Sequence, residues 1–121
     1  YEVWVPLLQG GQVVVAAAEV DAGVMRKMIT EHGITGAFLT IGLFWALAQD
    51  APECFAGLRE VWTGGDVVPA SALRRVLTVC PGLAVVDVYG PTETTIWSAA
   101  GRIAAGEGAP PIGPPIANTR I

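Results

Sequence analysis

The chain has 121 residues, a formal net charge of −4 and a pI near 4.8, with 52% hydrophobic and only 15% charged residues. That length supports one domain at most, the apolar fraction excludes a disordered tail, and seven Lys+Arg against eleven Asp+Glu exclude a basic nucleic-acid-binding face. Mean hydropathy is +0.51, yet no apolar run reaches about 18 residues before a charge, Gly or Pro breaks it, so no membrane partner is expected.

The opening Tyr1-Glu2-Val3-Trp4 reads as neither a signal peptide nor an initiator. Residues 12–16, a β-branched run after Gly10-Gly11, predict a strand. Asp21 then opens a helix in which Val24, Met25, Met28 and Ile29 fall at helical spacing, with Arg26, Lys27 and Thr30 off the stripe and Gly33 ending it. Residues 34–39 predict a strand, residues 41–49 a helix, and residues 58–62 a third strand halted by Thr63-Gly64-Gly65-Asp66. Pro69 is placed to start a helix carrying Leu73, Val76, Leu77 and Cys80 on one face, with Arg74 and Arg75 outside and Pro81-Gly82 as its stop. Residues 83–88 predict a fourth strand. From Gly101 onward Gly and Pro cluster, which predicts a rigid loop or crossover before a further strand begins within residues 116–121.

Strand and helix alternate, and the strands are apolar on both faces. This predicts an α/β fold with a parallel sheet and flanking helices. The composition is too apolar and too sparsely charged for a free-standing surface, so the chain is expected to be part of a larger α/β domain, in a cytoplasmic protein.

Cysteine and histidine usage limits the metal and redox options. Cys54 and Cys80 show no CxxC spacing and His32 is the only histidine, too few ligands for a zinc site. Both thiols are expected to be buried and reduced, and His32 to sit at a helix C-terminus where a cation suits the dipole. Ser71 and Ser98 have no nearby histidine, which argues against a hydrolase triad.

Two segments at predicted strand ends carry unusual chemistry. In Trp62-Thr63-Gly64-Gly65-Asp66 the paired glycines let backbone approach a ligand, or simply make a tight turn. Asp87-Val88-Tyr89-Gly90-Pro91-Thr92-Glu93-Thr94-Thr95 supplies an aromatic platform, a Gly-Pro turn, three hydroxyls and carboxylates. Such a loop can stack a base, bond a phosphate and ligate a hard cation. It can equally be a turn whose Thr and Glu cap the next element.

Tyr89-Gly90-Pro91-Thr92-Glu93 resembles the signature of adenylate-forming enzymes, specifically the adenylation domains of nonribosomal peptide synthetases. Residues 1–11 are similar to the tail of that family's Phe-Asp-x-Ser motif and its following helix. Trp62-Thr63-Gly64-Gly65-Asp66 resembles its nucleotide loop, and Pro111-Ile112-Gly113-Pro114-Pro115-Ile116-Ala117-Asn118-Thr119 a later stretch. Order and spacing agree along essentially the whole chain.

The resemblance implies part of the large N-terminal subdomain of such an enzyme. That family converts an amino acid, with ATP and Mg²⁺, to aminoacyl-AMP and pyrophosphate, then passes the acyl group to a carrier-protein phosphopantetheine thiol. By resemblance, Thr92 contacts the AMP phosphate and Glu93 ligates Mg²⁺, as the catalytic pair. Tyr89, with Gly90 beside it, stacks near the adenine, and Gly64 and Gly65 give close backbone access. Asp87 stands where the family often has Asn for the adenine amino group. Tyr1, Phe38, Trp62, Gly64, Val88, Ile96 and Trp97 match substrate-pocket positions. None of these is charged and several are large, which implies a small or medium uncharged amino acid.

The resemblance places the phosphate-binding loop and the substrate-binding Asp upstream of residue 1, and the ribose-binding Asp and the mobile subdomain with its catalytic Lys downstream of residue 121. Lys27, the only lysine, lies on the polar side of a helix. Residues 1–121 are therefore expected to be a partial adenylation domain, inactive alone, whose partners are a peptidyl carrier protein and neighbouring synthetase domains. The alternatives are another adenylate-former, such as an acyl-CoA or aryl-acid ligase, and a non-catalytic nucleotide-binding or structural module.

Overall fold

The computed structural model describes residues 2–16, 19–106 and 108–121. Local sequence sets most element ends. A short helix α1 spans Trp4–Leu8. Helix α2, Ala22–His32, begins where the Asp21 carboxylate accepts a hydrogen bond from the Val24 amide at 2.8 Å, and ends where Gly33 takes a left-handed φ of 64°. His32 occupies its last turn, as expected. Strand β1, Gly36–Thr40, runs directly into helix α3, Ile41–Asp50. A 3₁₀ turn at Pro52–Phe55 leads to β2, Glu60–Gly64. Pro69, with φ −66°, precedes helix α4, Ala70–Val79, and β3 follows at Ala84–Tyr89. The chain then makes a 3₁₀ turn at Thr92–Thr94 and strand β4 at Ala99–Ile103.

The sheet order is β1-β2-β3-β4. The first three strands are parallel, as expected, and β4 adds an antiparallel edge against β3. Three local expectations are corrected. Residues 12–16 form no strand: their β-branched side chains supply propensity, but nothing described pairs with their backbone, and Val15 is exposed. Residues 116–121 likewise form no strand. Residues 99–103, in part assigned to the glycine- and proline-rich loop, are instead β4, because the free edge of β3 offers them a ladder. There Gly101 abuts Gly113, whose backbone leaves 2.7 Å for any Cβ on Gly101.

Strand alternation divides the sheet into two faces. Leu39, Val61, Val85 and Ile103 point to one face and pack with Met25 of α2, Phe44 and Leu47 of α3, and Leu73 and Val76 of α4. The Phe44 and Phe55 rings meet at 5.7 Å in this core. Cys54 and Cys80 are buried there as free thiols. Burial pushes the Cys54 thiol up to about 11 and the Cys80 thiol upward. The opposite face carries Phe38 and Trp62, in register on neighbouring strands. Among the described residues, no helix is long and apolar enough to cross a membrane.

Candidate functional site

The carboxyl ends of β2 and β3 lie side by side, with Thr63 opposite Asp87 and Gly64 opposite Val88. Ligands of parallel α/β sheets bind outside such strand ends. The register with both neighbours carries β2 two residues beyond the expected end, so Thr63 and Gly64 are strand residues. β3 ends at Tyr89, one residue beyond the expected end, so Asp87 and Val88 are strand residues as predicted and Tyr89 joins them. Only Gly65 onward and Gly90 onward are loop.

This shift gives each residue a definite face. Thr63 and Asp87 share the helix-covered face, whereas Trp62, Gly64, Val86 and Val88 share the other. Asp87 is 5% exposed, and its burial pushes the carboxyl above its ordinary value, partly offset by a hydrogen bond from the Val88 amide. Beside it the fully buried Thr63 hydroxyl makes no hydrogen bond to the described residues. Within the Trp62–Asp66 segment Thr63 has no role of its own among the expected site residues; the period-2 alternation that places it on one face with Asp87 is the sequence signal for it.

Gly64 is required sterically. A Cβ there would overlap the Val88 carbonyl oxygen and lie 2.8 Å from Val88 Cγ2. Gly65 follows with φ +97°, turning the chain toward α4. Gly90 is equally confined: a Cβ would lie 2.5 Å from the Ile96 oxygen and 2.6 Å from Trp97 Cα.

The loop after β3 is therefore pinched at its base. The Ser98 amide and hydroxyl donate to the Tyr89 carbonyl at 2.8 and 3.3 Å. Within the loop, the Thr94 amide and hydroxyl donate to the Pro91 carbonyl at 3.0 and 2.9 Å, and the Thr95 amide donates to the Thr92 carbonyl at 3.0 Å. Thr92 and Glu93 are exposed on this turn and Tyr89 is half exposed beside it. Glu93 offers one hard carboxylate, and no group of three or more His, Cys, Asp or Glu among the described residues is placed to hold a metal. A single carboxylate would suit Mg²⁺, which is held by one or two carboxylates together with substrate phosphates and waters.

After the turn the chain brings Trp97 back over the sheet face opposite the helices. Its ring stacks on Trp62 with centroids 5.4 Å apart and an interplanar angle of 19°, and meets Phe38 at 5.6 Å. Thus Phe38, Trp62 and Trp97 form one aromatic wall, with Gly64 and Val88 farther along the same face. Ile96 is exposed beside Trp97. Tyr1 lies outside the described residues. A groove of about 830 Å³ touches Phe38 and Trp62 but otherwise runs along the N-terminal segment, α2 and the β1 flank, away from Thr92 and Glu93.

Two glycines at the end of β2, an exposed Thr-Glu turn after β3 and an adjoining aromatic wall thus lie together at the carboxyl edge of the parallel strands. The model of the AMP-binding enzyme family matches residues 1–121. The chain belongs to that family.

Its relatives narrow the type. It is 39% identical over 123 residues to a dimodular nonribosomal peptide synthase of Bacillus subtilis (99% of this chain, 5% of that protein). It is 35% identical over 126 residues to malpibaldin synthetase of Mortierella alpina (100% of this chain, 2% of that protein). Among solved structures it is similar to PA1221, an NRPS protein containing adenylation and PCP domains, with 39% identity and a TM-score of 0.92 over 96% of this chain and 24% of that one. It is also similar to the synthetase FmoA3 in its alpha-methyl-L-serine-AMP-bound form (31% identity, TM-score 0.85, 98% of this chain, 14% of that one). The chain thus spans a small part of the length of the relatives it matches, and within them it corresponds to an adenylate-forming ligase segment of the nonribosomal peptide synthetase type.

Proposed function

We propose that residues 1–121 form the substrate-pocket and nucleotide-loop part of an adenylation domain that activates an amino acid for nonribosomal peptide synthesis. In the first half-reaction an amino-acid carboxylate oxygen attacks the α-phosphorus of ATP. The bond to the bridging oxygen breaks, pyrophosphate leaves and aminoacyl-AMP forms. In the second, the phosphopantetheine thiolate of a carrier protein attacks the acyl carbon and AMP leaves. The observation that carries this reading is the convergence of Gly64-Gly65, Asp87, Tyr89 and Thr92-Glu93 at two adjacent strand ends.

Each group has a role suited to its chemistry. Asp87 accepts from the adenine amino group, Tyr89 offers a ring to the base, Gly65 has open space beside it for close backbone access, and Gly64 and Gly90 let the adjoining strand and loop backbones close up around it. The Thr92 hydroxyl donates to the α-phosphate, and Glu93 holds Mg²⁺. When bound, Mg²⁺ neutralises phosphate charge. Lys27 stands apart: its ammonium lies 3.7 Å from Glu31 on the exposed side of α2, so the lysine that such chemistry needs is supplied by another part of the parent protein.

The wall of Phe38, Trp62 and Trp97 is uncharged and occupies the face on which the amino-acid side chain would sit, which favours a small or medium uncharged substrate. An ionised side chain there would lack a partner, at a cost of several kcal/mol. ATP–pyrophosphate exchange by the complete domain against a panel of amino acids tests the assignment. Strongest exchange with Gly, Ala, Cys or Val supports it; strongest exchange with Lys, Arg, Asp or Glu overturns the substrate class, and no exchange with any amino acid overturns the function.

A further inference from the structure

Thr95 has φ +76° and ψ −58°, the strained γ-turn region that a β-branched residue rarely enters. It is also the single residue between two functional halves of one loop. Before it lies the Thr92–Thr94 turn, closed by its own hydrogen bonds to the Pro91 carbonyl. After it come Ile96 and Trp97, whose backbone presses on Gly90 and whose indole stacks on Trp62. Strain of this kind persists only where surrounding structure enforces it, and here the enforcing contacts are the pinch at Tyr89 and Ser98 and the stack on Trp62.

We propose that Thr95 is a positioning residue: its positive φ sets the direction in which the loop returns, and so places Trp97 against Trp62 and Phe38 as a wall of the amino-acid pocket. A negative φ at this position sends the following peptide elsewhere and unstacks the indole. The Thr94 amide and hydroxyl keep their bonds to the Pro91 carbonyl, and only the Thr95 amide's bond to the Thr92 carbonyl is lost with proline, so nucleotide contacts change less than amino-acid contacts. The inference rests on the adenylation reading above.

The test uses the complete adenylation domain and three variants: T95P, whose φ is locked near −65°; T95G, which adopts the positive φ freely; and T95V, which keeps the branched shape without the hydroxyl. T95P is expected to raise KM for the amino acid about tenfold or more, while KM for ATP stays within about threefold, and to lose the near-UV circular dichroism of the stacked indoles. T95G and T95V are expected to keep that signal and both KM values within about threefold, and T95G to melt no lower than wild type. An amino-acid KM unchanged in T95P overturns the proposal, as does T95G losing the amino acid as T95P does. If T95P does not fold, T95G decides: retained KM and retained indole signal support the proposal, and a tenfold or greater rise in amino-acid KM overturns it. A wild-type domain that activates no amino acid condemns the adenylation reading instead, and the indole signal of T95G against T95P then still decides the role of Thr95.

Discussion

Gly64 on β2 faces Val88 on β3 so closely that any side chain on Gly64 would run into the Val88 carbonyl oxygen. The two strand ends can approach only because position 64 has no Cβ. Gly64→Ala should therefore force the strands apart and destabilise the domain by about 1–3 kcal/mol, the usual range for overpacking. Urea denaturation of the complete domain checks this, and exchange activity should fall with the distorted strand end.

Trp97→Ala removes the keystone of the aromatic wall. The lost stacking costs about 0.5–1.5 kcal/mol beyond burial, and the vacated volume should shift amino-acid preference toward larger apolar side chains. The ratio of exchange rates for Leu or Phe against Ala, in wild type and variant, measures the shift.

Thr92→Ala and Glu93→Gln separate the two roles assigned to the exposed turn. Loss of the hydroxyl donor should lower the exchange rate about 100-fold with little change in the Mg²⁺ requirement. Glu93→Gln should instead move the Mg²⁺ titration to higher concentration. Exchange rates across a Mg²⁺ series distinguish these outcomes.

Asp87 gives a pH signature. Burial holds its folded-state pKa above the unfolded value near 3.9, so the fold favours the protonated carboxyl. Its contribution to stability is fully present below the unfolded pKa and is lost as pH rises through the folded one. Asp87→Asn should leave stability nearly unchanged at the acid end and raise it relative to wild type as pH increases. Denaturation midpoints of the two proteins across a pH series test the sign.

The two cysteines should be silent in the native state. Cys54 is fully buried with its thiol pushed up to about 11, and Cys80 is 8% exposed with its thiol also raised. Little thiolate exists at neutral pH. Iodoacetamide should label neither until denaturant is added, as read by intact mass.

Much of this fold was legible along the chain. Asp21 and Gly33 bracket α2, Pro69 and Pro81-Gly82 bracket α4, and the helical spacing of Leu73, Val76 and Leu77 marks its buried side. These are short-range effects: a cap, a fixed φ, a missing Cβ. Elements that exist only through pairing leave no such local mark. Residues 12–16 have strand propensity but no described partner, whereas residues 99–103 have weak propensity and a waiting edge on β3.

The site divides in the same way. The chemistry present is written along the chain: the Gly-Gly turn, the aromatic-Gly-Pro-Thr-Glu segment and the uncharged aromatic positions. It takes the folded chain to set Thr63 beside Asp87, to make Gly64 obligatory because of Val88, and to fold Trp97 across to Trp62 and Phe38. Composition and spacing record what each residue is able to do. Strand register and loop closure, which depend on hydrogen bonds between residues far apart in sequence, fix where each residue does it.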